Sequence, residues 1–395
     1  MKHAAILDRL AGLGGAKWEI HYRARALAAQ GRDVIELTIG EPDVPAPPVL
    51  TEVAVAALRA GRTGYSDGRG EAGLRRALAE RYSRSAGRTI TEHQILCFPG
   101  TQTALFALLL GVGEVGAEVL VGDPMYATYE GVIRAGGAAP VPVPLRPERG
   151  FRMDAADLAA RVTPRSRAIL LNSPHNPTGA ILSRDDLQAI GEVATAHDLW
   201  ILSDEVYEDL VFEGAEFVSP LAFPHLADRV VAASSISKSH AMPGMRSGWI
   251  VAPADFAARL LPLSETMLFG NQPFIADMTE AAVRAPSPVA AGMRQRFAAR
   301  ARRLKTRLEG DGPLRVHAPQ AGMFALIDVR GTGLDGAAFA AGLIEEAGVA
   351  VMPGASFGAS LGDWVRVALT VDDDRFAEAC DRIAAYARTL AGVRA

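Results

Sequence analysis

Three apolar runs in the chain end in side chains that could act together on one small molecule. They are followed by Asn172-Ser-Pro-His-Asn176-Pro-Thr-Gly179, by Ser203-Asp204-Glu205-Val-Tyr207 and by Ser235-Ile-Ser237-Lys238. An amide, a carboxylate, a phenol and a primary amine thus stand at the ends of segments that read as buried strands. Parallel strands gather their C-terminal ends on one rim, where α/β sheets bind ligands. Arg246, in Gly244-Met-Arg246-Ser-Gly248, follows Lys238 closely, and its glycine neighbours would let the guanidinium reach an anion at that rim. Upstream, Phe98-Pro99-Gly100-Thr101-Gln102 follows the short strand Ile95 to Cys97 and opens a helix that runs to Leu110. The N–H groups of Gly100, Thr101 and Gln102 would be free at that helix start, and the helix dipole favours a phosphate there. Pyridoxal phosphate needs this combination. The amine forms a Schiff base with its aldehyde, the carboxylate keeps its pyridine nitrogen protonated so that the ring draws electrons, and the cradle fixes its phosphate. Singly, Asp204 reads as a buried ion-pair partner, Lys238 as a surface charge and Tyr207 as core. Their joint order does not reduce to those readings.

Lys238 stands out for another reason. Of 41 basic residues only Lys2, Lys17, Lys238 and Lys305 are lysines, so a chain that uses arginine for ordinary charge has kept an amine at this position.

The elements that must carry these residues follow from the hydrophobic pattern. Residues 1–30 read as helical and precede a short strand, Val34 to Ile39, ended by the turn Gly40-Glu-Pro-Asp43. From about residue 49 to 285, amphipathic stretches alternate with the apolar runs Glu118 to Gly122, Ala168 to Asn172, Trp200 to Asp204 and Val230 to Ser234, the pattern of buried, mostly parallel strands. A long arginine-rich helix, short strands at Met323 to Asp328 and Trp364 to Leu369, and a last helix opened by Asp372-Asp-Asp374 then suggest a smaller α+β unit. The expected domains are 45–285, which binds the cofactor, and a smaller one built from 1–44 with 286–395. The acidic triplet reads as cap and dipole complement rather than metal site, and no metal is expected. Pro140-Val-Pro-Val-Pro144 reads as an edge strand. Gly111-Val-Gly113-Glu-Val-Gly116 matches a dinucleotide fingerprint in letters, but it follows a helix and precedes a strand, the reverse of what that fingerprint requires.

Composition narrows the function. The chain has 395 residues, 49% hydrophobic and 22% charged, with a formal net charge of −4, which offers no electrostatic footprint for nucleic acid or anionic lipid. Two cysteines, Cys97 and Cys380, make no disulfide framework. No run of about 18 apolar residues suggests a membrane span, and the expected location is cytoplasmic.

At these residues the sequence resembles the class I/II aminotransferases of pyridoxal-phosphate fold type I, over essentially its whole length. The matching elements are Gly40-Glu-Pro-Asp43, Tyr65 in Gly64-Tyr-Ser, Gly100-Thr-Gln102, Asn172 to Gly179, Asp204 to Tyr207, Ser235 to Lys238, Arg246, and Arg366 in Trp364-Val-Arg-Val. The resemblance implies an α/β, aspartate-aminotransferase-like fold and a homodimer with shared active sites. It implies that Lys238 carries the cofactor and then moves the substrate proton. Asp204 would pair with the pyridinium, Asn176 and Tyr207 would bond the ring 3-oxygen, and Tyr126 would stack on the ring, Tyr129 being packing. Ser235, Arg246, the 100–102 amides and Tyr65 of a second subunit would hold the phosphate. Arg366 would clamp the substrate α-carboxylate as a fork, with Gly40 closing over it. His175 and His240 are left as structural.

Within the family, Trp18-Glu-Ile-His-Tyr-Arg-Ala24, Ala196-His-Asp-Leu-Trp200 and Ser237-Lys-Ser-His-Ala-Met242 are most similar to the arginine:pyruvate transaminase branch. Glu19 is then the expected partner of a basic substrate. Phe269-Gly-Asn-Gln-Pro-Phe274 departs from that branch. Aspartate or aromatic transamination and carbon–sulfur β-elimination are the alternatives on the same fold. A transcription regulator with an aminotransferase-like sensor is disfavoured, since about 30 residues before the first strand are too few for a DNA-binding unit.

Overall fold

The structure, a computed structural model, describes residues 2–13, 15–310 and 312–392. In chain order its strands are β1 Ile35–Glu36, β2 Ile95–Phe98, β3 Glu118–Asp123, β4 Ala139–Pro144, β5 Ser166–Asn172, β6 Trp200–Asp204, β7 Val230–Ser235, β8 Gly248–Val251, β9 Arg315–His317, β10 Phe324–Asp328, β11 Val349–Ala350, β12 Met352–Pro353 and β13 Trp364–Ala368.

Seven of them form one sheet in the order β2-β8-β7-β6-β5-β3-β4. The neighbours from β7 through β6, β5 and β3 to β4 are parallel, whereas β8 runs antiparallel to both β7 and β2. Strand periodicity sorts its side chains into two cores. Ile95, Cys97, Leu120, Ile169, Ile201 and Val230 face one helical layer, while Leu96, Phe98, Val119, Ala168, Leu202 and Val231 face the other. Both faces are therefore covered, which is why these strands read as unbroken apolar runs.

A second, four-stranded antiparallel sheet of order β12-β13-β10-β9 packs with the arginine-rich helix Ala290–Leu308 and the last helix Asp373–Gly392 around a separate core that includes Phe297, Phe339 and Phe376. β1 pairs in parallel with β11, so residues from the start of the chain join this unit.

Local chemistry sets the element ends. The helix Arg184–Ala196 opens with a Ser183/Asp186 capping box, and the helix Gly336–Ala347 opens on the Asp335 carboxylate and closes at Gly348 in the left-handed region. Asp372 accepts from Arg375 N–H at 2.9 Å and Asp373 from Arg300 Nε at 2.7 Å, so the acidic triplet serves the start of the last helix and an ion pair. Pro140 and Pro142 lie in β4 at the sheet edge, where a missing N–H breaks no ladder. Gly111 ends a helix, Thr101–Val112, that precedes β3, which places the fingerprint-like glycines away from any strand-to-helix turn.

Three expectations change. The strand expected at Val34 to Ile39 shortens to β1, because beyond Glu36 the backbone bonds to several different elements rather than to one neighbour. The helical first 30 residues divide into Ala5–Leu10, a 3-10 turn at Gly15–Trp18 and Glu19–Ala29, with Gly12 at φ 78° between the first two. β8 was not anticipated.

Candidate active site

β5, β6 and β7 end side by side, with Asn172 opposite Asp204 and Asp204 opposite Ala233. Beyond those ends lies a cavity of about 300 Å³ whose walls include Gly40, Thr101, Gln102, Tyr126, Asn176, Asp204, Tyr207, Ser235, Lys238, Arg246 and Arg366. Residues spread over more than 300 positions of the chain thus converge at one place. Tyr65 and Glu19 do not line it. Tyr65 is 94% exposed, its ring set edge-on against Phe269 at 5.8 Å. Glu19 is exposed at the first turn of its helix, where a carboxylate complements the dipole, and its neighbour Trp18 takes the place on the cavity wall.

Lys238 follows β7 in a single helical turn that starts at Ser235, whose hydroxyl accepts from Ser237 N–H at 3.3 Å. Its Nζ donates to the Gly40 carbonyl at 2.8 Å. Burial pushes its ammonium down to about 8, with Arg366 and Arg246 adding repulsion and Glu41 opposing.

Asp204 is buried at the end of β6. Tyr129 Oη donates to its Oδ2 at 2.7 Å and Val206 N–H to its Oδ1 at 3.2 Å. Desolvation pushes its carboxyl up to about 6, and these two donors pull the other way. No ion pair to Asp204 occurs among the described residues. Asn172, on β5, ties the neighbouring loop to this strand: its Nδ2 donates to Asp204 O at 3.1 Å and its Oδ1 accepts from Asn176 N–H at 2.8 Å.

Arg366 is fully enclosed on β13. Its guanidinium stacks on Phe324 at 3.9 Å and on Phe357 at 4.5 Å. One Nη donates to Asn176 Oδ1 at 3.1 Å and the other to the Thr38 carbonyl, while Nε is buried without a partner. Burial depresses the guanidinium to about 10, well above neutrality.

Arg246 meets the Gly100 turn by close approach, its guanidinium donating to the Pro243 and Pro99 carbonyls at 2.7 and 3.2 Å. Gly100, at φ 86°, precedes the helix Thr101–Val112. A Cβ on Gly100 would lie 2.1 Å from Arg246 Nη2, and one on Gly248 would lie 2.7 Å from the Gly100 carbonyl carbon. Two glycines therefore let Arg246 lie against the first turn of that helix. The flanking glycines were expected to help the arginine reach; instead Arg246 is itself left-handed at φ 50°, and only Gly248 meets crowded surroundings.

Pyridoxal phosphate fits this donor set. Asp204 lacks a cationic partner that a pyridinium would provide, Arg366 Nε and Thr101 Oγ1 are buried with unfilled hydrogen-bonding capacity, and the helix start with Arg246 offers a phosphate site. His175 and His240 stay outside the cavity wall. His175 Nδ1 pairs with Thr178 Oγ1 at 2.8 Å, and burial holds the ring near 3, hence neutral; His240 pairs with Ser239.

Tyr129, expected only to pack, is a direct partner of Asp204. Its position three residues after Tyr126 at a helix start was the available signal. Phe324, Phe357 and Trp18 had no distinguishing signal.

Fold and site together define a pyridoxal-phosphate enzyme of fold type I. The family model for aminotransferase class I and II matches residues 32–383, and the chain belongs to that family. It is 44% identical to the arginine–pyruvate transaminase AruH of Pseudomonas aeruginosa, covering 99% of this chain and 100% of that one. It is 34% identical to an aspartate/prephenate aminotransferase of Cereibacter sphaeroides over 93% of this chain and 94% of that one. Among solved structures, the aspartate aminotransferase of Thermus thermophilus with maleate superposes with a TM-score of 0.91 at 30% identity, covering 98% of this chain and 100% of that one. The protein is accordingly an aminotransferase, dependent on pyridoxal phosphate, that moves an amino group between amino acids and keto acids. Among the described residues, no helix is long and apolar enough to cross a membrane.

Proposed function

We propose that the chain takes the α-amino group of arginine or a related amino acid and passes it to a 2-keto acid such as pyruvate. The end-to-end 44% identity to an arginine–pyruvate transaminase carries this reading. When bound, pyridoxal phosphate supplies an aldehyde for the amine and a ring that draws electrons from the substrate Cα. The chain's own residues do the rest. Lys238 Nζ, with its depressed basicity, takes the proton from the substrate Cα and returns one in the reverse half-reaction. Asp204 stays anionic against the protonated ring nitrogen, held by Tyr129. Asn176 and Tyr207 fix the ring oxygen and Tyr126 covers the ring face. Ser235, Arg246 and the Gly100 to Gln102 amides hold the phosphate. Arg366 receives the α-carboxylate on its free edge, beneath Gly40.

A second reading has its own support. Asp204 is the one carboxylate among the residues of the cavity wall, and Trp18, Ile39 and Leu105 make much of that wall apolar. Such a wall suits an aromatic or other neutral donor, unless a partner subunit brings an acid. The discriminating experiment adds amino acids one at a time to the loaded enzyme without keto acid and follows bleaching of the cofactor absorbance. Fastest bleaching by arginine supports the first reading; aromatic amino acids bleaching faster selects the second, and aspartate bleaching fastest would overturn both.

The domain division, 45–285 against 1–44 with 286–395, is supported by the two separate sheets and by the cluster around Phe297, Phe339 and Phe376, drawn mostly from the smaller unit. A homodimer is supported by the bare Tyr65 and Phe269 pair. A cytoplasmic location is supported by Cys97 and Cys380, both buried free thiols.

A further inference from the structure

Residues 37–40 run along the cavity as a strap in which four successive carbonyls are taken by four different residues, two of them on β13. Leu37 O accepts from Ala368 N–H at 2.9 Å, Thr38 O accepts from Arg366, Ile39 O accepts from the Thr370 hydroxyl at 3.3 Å, and Gly40 O accepts from Lys238 Nζ at 2.8 Å. Arg366 and Lys238 are thus held by carbonyls two residues apart on one short segment.

Two polar anchors fix that segment. At its far end, Asp43 accepts from Arg296 at 3.0 Å and from Arg300 at 2.7 Å, both on the long helix Ala290–Leu308. At its near end, Glu36 and Thr38 project from the same face of the chain toward the helix Glu19–Ala29. Glu36 Oε1 accepts from the Thr38 hydroxyl at 3.0 Å and lies 2.5 Å from His21 Nδ1, which is itself 3.1 Å from Thr38 Oγ1. Thr38 is completely buried and His21 is 8% exposed, while the Glu36 side chain is half-buried, so two of the three members are withdrawn from water. Its hydroxyl and its carbonyl face opposite tasks: one is tied to Glu36 and the other to Arg366.

We infer that His21, Glu36 and Thr38 are positioning residues for substrate carboxylate binding, fixing the Thr38 carbonyl and through it the rotation of the Arg366 fork. The inference rests on Arg366 as the carboxylate site. The Phe324 and Phe357 rings lie against the guanidinium, and among the described residues Asn176 Oδ1 and Thr38 O are the acceptors that orient its Nη groups. Letting the Thr38 carbonyl shift would leave the charge in place while misaligning its donors. An α-amino acid and a 2-keto acid both carry a carboxylate next to the reacting carbon, so amino donor and keto acceptor should suffer alike.

The test compares Thr38→Val, which keeps the branched shape and removes the hydroxyl, with Thr38→Ser, which restores it. Steady-state kinetics are measured for both substrates, together with the dissociation constant of the non-reacting carboxylate propionate, read from the shift in cofactor absorbance. Thr38→Val should raise both KM values and the propionate constant by roughly three- to tenfold, with kcat within about twofold of the native value, and Thr38→Ser should recover most of the loss. Glu36→Gln should move the same quantities in the same direction. On an Arg366→Lys background the Thr38→Val effect should vanish, since no fork remains to be aligned. An unchanged propionate constant in Thr38→Val, or an equal effect on both backgrounds, would overturn the inference while leaving the carboxylate site intact. If Arg366→Lys alone left both KM values unaltered, the reading of Arg366 itself would fail.

Discussion

A lysine whose ammonium is pushed down to about 8 by burial has a far larger neutral fraction at physiological pH than an exposed one. The amine must be neutral to condense with an aldehyde, and burial favours the neutral form. Rebinding of pyridoxal phosphate to the apoprotein should therefore accelerate as pH rises from 6.5 and level off a little above pH 8. An ordinary exposed lysine would still be accelerating at pH 10. Stopped-flow absorbance across that range checks this, and a rate still climbing at pH 10 would show that burial does not set the amine's basicity. Asp204 has the opposite problem. Its folded value, about 6, lies above the unfolded one, 3.8, so the fold prefers it protonated, and its stabilising contribution is lost as pH rises through that interval. At neutral pH the apoprotein carries an ionised carboxylate that costs on the order of 3 kcal/mol. A pyridinium beside it would offset that cost, and in the proposed role of Asp204 this ties cofactor retention to cofactor activation. The Tyr129 hydroxyl lowers the same carboxylate, and so keeps it available as an anion.

Among the elements, the turn from β2 into the helix Thr101–Val112 shows how two glycines in contact can answer to different demands. A Cβ on Gly100 would strike the far end of the Arg246 side chain, which can swing away, and the backbone at φ 86° would be strained. A Cβ on Gly248 would instead strike the Gly100 carbonyl carbon at 2.7 Å and the Thr101 nitrogen at 2.8 Å, which cannot move without opening the sheet. Gly100→Ala should remain folded but release cofactor on dialysis, with affinity down roughly tenfold or more. Gly248→Ala should lower stability by about 1–3 kcal/mol, seen as a reduced Tm of the apoprotein. Unaltered cofactor affinity in Gly100→Ala, or an unaltered Tm in Gly248→Ala, would contradict this reading. The same region shows what a sequence can disclose. β6 was legible because an apolar run stops at Asp204, and the turn proposed for the phosphate because strand, glycine and helix follow in order. β8 was not, since four residues after a glycine-bearing loop reveal neither their strand character nor an antiparallel direction that depends on neighbours distant in the chain. Tyr129 looked like core because its acceptor lies 75 positions away. The strap carbonyls had no signature at all, because backbone groups are the same for every residue.

At the scale of the whole molecule, the bare Tyr65 ring is the feature that a single chain does not explain. A phenol 94% exposed, set against a Phe269 that is 60% exposed, leaves two aromatic rings in water, an arrangement that a second copy of the chain would cover. If Tyr65 completes the phosphate site of the partner, each active site is assembled from two chains, and complementation between inactive variants measures it. Lys238→Ala lacks the reacting amine in both of its sites, and Tyr65→Ala lacks the donated phenol in both. In a mixed dimer, one site combines an intact Lys238 from the Tyr65→Ala chain with an intact Tyr65 from the Lys238→Ala chain, while the other site loses both. Random reassortment makes half of the dimers mixed, so roughly a quarter of the native sites should reappear. The measured quantity is the rate at a cofactor concentration that saturates native protein but not Tyr65→Ala, before and after the two variants are unfolded and refolded together. A sum of the separate activities and nothing more, with dimers confirmed by sedimentation, would place Tyr65 outside the partner's site. Regain of activity would show that cofactor retention depends on assembly, so that diluting the dimer should release cofactor even though Lys238, Asp204 and Arg246 all lie on one chain.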